Sequence, residues 1–246
     1  VPTLHARSEI LLGKATLDYL RQQHVMVAGL DGVGGYVAEN LARAGIGELT
    51  LLDKDRVAMS NINRQIVALH STYHQQKTAV MRARIHDIDP SIRVNIRDEF
   101  MRVETAEAVV LSGQYSYIAD CIDTIACKAQ LVFAAQKHDT AIISAMGAGN
   151  RIDASRVKVA SLHQTQGCRL AREMRQRLRE LKAGLKYPVV YSDEPVYSPP
   201  RVTHLSGEPY REKSTNGTIS YLPAMIGVLL AGELLKSMLD KGSAQK

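Results

Sequence analysis

A cluster of glycines, Gly29, Gly32, Gly34 and Gly35, stands between an apolar run at Val25 to Ala28 and a helical pattern ending at Gly45 or Gly47. A second apolar run, Leu49 to Leu52, stops at Asp53. Strand, glycine turn, helix, strand and acid leave a chain few ways to fold. They read as the opening unit of a parallel sheet whose first turn takes a nucleotide. Glycines let backbone N–H groups approach phosphate oxygens, and the helix N-terminus adds partial positive charge. Asp53, roughly twenty residues on, is placed to accept hydrogen bonds from ribose hydroxyls.

The residues after Asp53 narrow the reading. Asp55, Ser60, Asn61, Asn63, Arg64 and Gln65 crowd into one polar loop for which an ordinary dinucleotide domain has no use. Arg64 offers a planar fork suited to phosphate oxygens. A helix is predicted over Lys77 to Ile88, ending before Asp89-Pro90, and Lys77 at its start is either a phosphate ligand or a surface lysine. Strands at Arg93 to Arg97, Tyr117 to Ala119 and Ala141 to Ser144 alternate with helices at Thr105 to Leu111 and Ile125 to Lys137. That alternation predicts an α/β fold: a Rossmann-like, doubly wound, mostly parallel sheet with helices on both faces. Asp120 and Asp123 emerge at a strand end, where two carboxylates can hold a hydrated Mg²⁺; Asp123 is equally suited to cap the next helix. Leu4 to Leu20 reads as one helix with Arg7 near its start.

Beyond Asn150 the character shifts. Strands are predicted at Val157 to Ala160 and Val189 to Tyr191, with a basic helix from Cys168 to Lys182 between them. Leu170, Met174, Leu178 and Leu181 give that helix an apolar face, and Arg169, Arg172, Arg175, Arg177 and Arg179 crowd its length. It is either a solvated face or a surface for a phosphate backbone. The net charge of +6 suits an anionic partner such as nucleotide or tRNA. Ser192 to Asn216 is expected to be a long mobile loop, and an apolar helix after Pro223 leads to a polar tail at Lys241 to Lys246. The apolar stretch Tyr221 to Gly232 is too short to span a bilayer and reads as a buried helix. Three cysteines without metal-site spacing, and no leader segment, point to a reducing, cytoplasmic setting. One domain, 1–246, is expected, with a nucleotide-binding core of about 21–150 and a substrate and dimer extension of about 151–246.

The string from Asp53 to Gln65, D-x-D-x-V-x-x-S-N-x-N-R-Q, resembles the adenylate-forming superfamily of ubiquitin-activating enzymes. RSEILLG, DCIDT, SAMGAGNRID, REMRQRLRE, VVYSDEP and LPAMIGVLLAGELLK extend the resemblance over nearly the whole chain, toward the tRNA threonylcarbamoyladenosine dehydratase group. The resemblance implies ATP and Mg²⁺ as cofactors. It also implies adenylation of the carboxyl group of threonylcarbamoyladenosine in tRNA, followed by ring closure with loss of water. It assigns Gly29, Gly32, Gly34, Asp53 and Asp55 to the nucleotide, with Asp53 on the ribose. Asn61, Arg64, Gln65 and Lys77 fall on the phosphates, and Asp123 on the Mg²⁺. Arg7 is similar to an arginine that reaches a partner's nucleotide site, which implies a homodimer. Arg169, Arg172, Arg175 and Arg179 are the candidates for tRNA.

Three positions depart from the pattern. Asp31 stands where the superfamily turn carries glycine; it either caps the helix with its side chain turned away or neutralised by Mg²⁺, or weakens nucleotide binding. Gln164 replaces a common lysine. Cys168, in a segment read as mobile, is either an incidental thiol or a nucleophile. Other readings are an adenylyltransferase for a sulfur-carrier or ubiquitin-like protein tail, and a nucleotide-binding member with catalysis weakened by Asp31. An NAD-dependent dehydrogenase leaves SNINRQ and DCIDT without a role.

Overall fold

The structure, a computed structural model, describes residues 4–197 and 217–243. Seven strands form one sheet: β1 (His24–Ala28), β2 (Glu48–Leu52), β3 (Arg93–Arg97), β4 (Tyr117–Asp120), β5 (Ile142–Ala145), β6 (Val157–Ser161) and β7 (Pro188–Ser192). Their order is β3-β2-β1-β4-β5-β7-β6. All pairings are parallel except β6 with β7. The order reverses between β1 and β4, and a crevice opens there beyond the carboxyl ends of the strands.

Helices cover both faces because the central strands are apolar on both. Val25 and Val27 of β1 point into one core, and Met26 and Ala28 point into the other. The first core is roofed by α2 (Lys14–Arg21), α3 (Gly34–Ala44), α4 (Lys77–Ile88) and α8 (Tyr221–Ser243). The second is roofed by α5 (Ala106–Leu111), α6 (Ile125–Lys137) and α7 (Arg169–Glu180). Each fully buried Val, Leu or Ile contributes about 1.5–3 kcal/mol, so the two apolar faces make the β1–β4 centre the most firmly held part of the sheet. The segment after Asn150 supplies β6 and β7 to the same sheet, so it is joined to the preceding strands by continuous hydrogen bonding.

Several predicted elements need correction. The single helix over Leu4 to Leu20 is two: α1 (Ala6–Leu12) and α2, broken where the backbone turns at Gly13 (φ 78°). Apolar spacing alone runs straight through that break. Neither aspartate proposed as a helix cap serves as one. Val33 occupies the N-cap of α3 and Thr124 that of α6, and neither cap has a side-chain hydrogen bond. The closing helix continues past Glu233 and Lys236, so Tyr221 to Asp240 is long and apolar enough by length and composition to cross a membrane. Its residues Leu222, Ile226, Leu230, Leu234 and Met238 recur every four positions and are buried against α3 and the sheet. That packing is what a core helix does. Of the long loop expected over Ser192 to Asn216 and the tail over Lys241 to Lys246, residues 198–216 and 244–246 lie outside the described ones.

Candidate active site

The glycine turn fills the space between β1 and α3 at the crevice. Gly29 has φ 89°, and a β-carbon there would lie 2.9 Å from the Cys121 carbonyl oxygen; one at Gly34 would collide with the Gly29 carbonyl. Gly32 abuts Pro223 at the start of α8, so that helix closes one side of the turn. Asp53 ties the turn to the next loop. Its Oδ2 accepts the Leu30 N–H at 2.7 Å and its Oδ1 accepts the Asp55 N–H at 2.7 Å. Burial pushes the Asp53 carboxyl above its usual range, against those two N–H groups and the Lys77 ammonium. Each oxygen keeps a lone pair with which to receive a ribose hydroxyl.

Lys77 is 2% exposed and its ammonium lies among carboxylates. Nζ donates to Asp31 Oδ1 at 2.5 Å and to Asp55 Oδ2 at 3.4 Å. Burial works to lower its pKa, but Asp31, Asp53 and Asp55 outweigh it and hold the group above 10.5. It is therefore no ordinary surface lysine. Asp31 is not turned away either: its Oδ1 also accepts Gln65 Nε2 at 2.7 Å. Gln65 is buried, and its Oε1 has no hydrogen-bond partner among the described residues. Arg64 donates to the Ser60 carbonyl at 3.0 Å and to Asn63 Oδ1 at 2.9 Å. Asn61 accepts the Ala58 N–H at 2.9 Å, which shapes the loop, and Asn63 donates to the Thr218 carbonyl at 3.0 Å.

On the β4 side the two aspartates part. Asp120 is fully buried, paired with Lys128 Nζ at 2.9 Å and accepting Ser144 Oγ at 2.6 Å. It is unavailable to a metal, because its charge is already spent on Lys128. Lys128 also donates to the carbonyls of Asp120 and Ile122, at 3.2 and 3.1 Å. It thereby sets the turn that leaves Asp123 exposed, where its Oδ1 accepts Thr124 Oγ1 at 3.2 Å. Sequence reasoning missed Lys128, although a lysine amid the apolar residues of α6 was the signal. Arg151 went equally unread. It is buried and donates to the carbonyls of Gly147, Gly167 and Glu194, fixing the loop after β5. Among the described residues no three His, Cys, Asp or Glu side chains converge as a metal-binding group.

Arg7 is not among these residues. It is exposed on α1, which is anchored through His5 near Asp89 (3.4 Å) and Gly45. Gly45 caps the end of α3 distant from the glycine turn, so within one chain Arg7 stands at the opposite end of the sheet. The basic helix also divides. Arg175 donates to the carbonyls of Leu162 and Thr165, at 3.3 and 3.1 Å, and to Thr165 Oγ1. It is half-buried and braces the turn at Leu162 to Thr165, unlike the exposed arginines among the tRNA candidates. Arg169 is exposed but paired with Glu173 at 2.8 Å, while Arg172 and Arg179 are exposed. Arg172 and Arg177 line a groove of about 550 Å³ shared with Ile125 and Ala126 at the start of α6, two residues beyond Asp123. Cys168 is buried in the second core, which corrects its reading as part of a mobile segment. Burial pushes the Cys121 thiol up to about 12.

A model of the ThiF family matches residues 5–246. The chain is 35% identical to the tRNA threonylcarbamoyladenosine dehydratase of Bacillus subtilis over 241 residues, 95% of this chain and 94% of that protein. It is similar in structure to the E. coli tRNA N6-threonylcarbamoyladenosine dehydratase solved in complex with ATP, with TM-score 0.87, 31% identity and 100% of both chains covered. The molybdopterin-synthase adenylyltransferase of E. coli is 34% identical over 114 residues, 46% of this chain and 45% of that protein.

Proposed function

Because the chain belongs to the ThiF family, we propose that it is an ATP-dependent tRNA threonylcarbamoyladenosine dehydratase. It activates the nucleoside's carboxyl group by adenylation and so drives cyclisation with loss of water. One observation carries this reading over a protein-tail adenylyltransferase. Likeness to the dehydratases of Bacillus subtilis, Haemophilus influenzae and Escherichia coli runs through 93–96% of the chain, whereas likeness to the molybdopterin-synthase enzymes runs through 46–61%.

The residues suit the chemistry. A carboxylate is a poor electrophile until its oxygen is joined to phosphorus, and that step needs the triphosphate's charge neutralised and its α-phosphorus exposed. Backbone N–H groups in the later part of the turn, from Gly32 to Gly34 at the start of α3, face the phosphates, and Asp53 takes the ribose. Lys77 and Arg64 bring cationic donors, and Asn61, Gln65 and Asp55 hold the loop around them. Mg²⁺ fits the exposed Asp123, since that ion is commonly held by one or two carboxylates plus phosphate oxygens and water. It would supply further neutralisation of the triphosphate. Arg172 and Arg179, with Arg177 in the groove beside Asp123, receive the tRNA backbone.

Arg7 acts from the partner of a homodimer. The reading is supported by the position of Arg7 away from its own crevice and by the exposed Ile10 and Leu11 beside it on α1. The setting is cytoplasmic, and the chain acts as one adenylation domain. Mass spectrometry of nucleosides from threonylcarbamoyl-modified tRNA, incubated with protein, Mg²⁺ and ATP, tests the reading. The expected result is loss of one water, dependent on ATP and abolished by Asp123→Ala. Nucleotide binding without that mass change moves the assignment to a protein-tail adenylyltransferase.

A further inference from the structure

Asp31 occupies the phosphate-binding turn with a charge of the wrong sign. It needs no unusual backbone to do so, since it is not among the described non-glycine residues with positive φ. A β-carbon is therefore tolerated there, and what distinguishes the turn is the carboxylate. That carboxylate is about half exposed at 45%, and it holds the ammonium of a lysine that is 2% exposed. Asp53 and Asp55 flank the same ammonium, so three carboxylates face one cation where a polyphosphate is to sit. Gln65 completes the arrangement: its Nε2 is committed to Asp31, while its buried Oε1 lacks a partner among the described residues. Asp31 thus stands in for a phosphate oxygen, tethered to the chain.

We propose that Asp31 makes this site selective for metal-complexed nucleotide: it is a tethered anion that yields Lys77 only to a phosphate whose charge is offset by a divalent cation. The proposal rests on the nucleotide reading above. Metal-free ATP brings close to four negative charges to a cradle that is already anionic. It must displace Asp31 from Lys77 and leave that carboxylate unpaired beside the phosphates. A metal complex brings about two fewer negative charges, and its cation compensates the freed carboxylate. Glycine in this position would relax the requirement, since only the more weakly placed Asp53 and Asp55 would then compete for Lys77.

Calorimetric titration of the full chain tests this, with ATP in excess Mg²⁺ and, separately, ATP in EDTA at matched ionic strength. Asp31→Asn preserves shape and removes the charge; Asp31→Gly removes the side chain. A single cooperative thermal melt for each variant establishes that it folds. The wild type is expected to prefer the Mg²⁺ complex, and each variant to reduce that preference about tenfold, chiefly by tightening metal-free ATP. That is the size of one charge–charge interaction at a part-exposed site. An equal preference in the wild type and both variants overturns the role of Asp31 while leaving the nucleotide reading intact. Failure of all three proteins to bind ATP in either condition overturns the nucleotide reading, and the role of Asp31 with it.

Discussion

Lys77 shows how much a single residue's meaning depends on what folds around it. In the chain it is one lysine at a helix start, 46 residues from Asp31. Folded, its stem is buried and its charge is shared among Asp31, Asp53 and Asp55. The folded pKa lies above the ordinary 10.5, so the ammonium's contribution to stability is complete below that pH. It disappears as pH rises through the folded value. Asp31 and Asp55 are about half exposed, at 45% and 50%, so solvent screening reduces the energy of the pairs. Lys77→Met should cost about 1–2 kcal/mol at pH 7. Urea unfolding of both proteins from pH 7 to 11 should show that deficit closing only above pH 10.5. A deficit independent of pH would mean that lost packing, not charge, accounts for it.

At the scale of elements, α6 holds the β4 side of the crevice in place. Its start and end, Ile125 and Lys137, were legible from apolar spacing, and those of α4 from spacing and Pro90. The central strands were legible to within a residue or two because both faces are apolar, and the edge strand β3 from its alternation of polar and apolar residues. The break between α1 and α2 was not, because Ile10, Leu17 and Leu20 keep helical spacing across Gly13. Nor was the division of labour between Asp120 and Asp123. A sequence places both at a strand end but does not say which one meets a buried lysine from α6. That pairing has a large energetic signature. Removing one member of a buried ion pair strands the other's charge, at a cost of about 3–5 kcal/mol. Lys128→Met should therefore destabilise the protein by about that much in denaturant unfolding. Adding Asp120→Asn should recover part of the loss, since the stranded charge is gone. If the double variant were no more stable than the single one, the carbonyls of Asp120 and Ile122, not the ion pair, would be what Lys128 stabilises.

Over the whole molecule, one end of the sheet gathers the chemistry. The reversal of strand order between β1 and β4 brings the glycine turn, the Lys77 cradle and Asp123 to the same end, although they span positions 29 to 123. The later segment then adds β7 and β6 to the same sheet and the basic α7 beside α6, so Arg172 and Arg177 line a groove that begins two residues beyond Asp123. This gathering follows from topology and could be anticipated from the alternation of strands and helices. Which arginines face outward could not, because Arg175 and Arg172 occupy the same basic stretch and differ only in what lies beneath them. The distinction predicts two different outcomes. Arg172→Ala and Arg179→Ala should each weaken tRNA binding and lower the slope of log affinity against log salt by about one unit, leaving the melting temperature unchanged. Arg175→Ala should lower the melting temperature, since the turn at Leu162 to Thr165 loses its donor, while leaving the salt slope close to that of the wild type. Filter binding across a salt series, paired with thermal melts of the same proteins, separates the two. An Arg175 variant that melts normally but loses a unit of slope would return that residue to the tRNA surface.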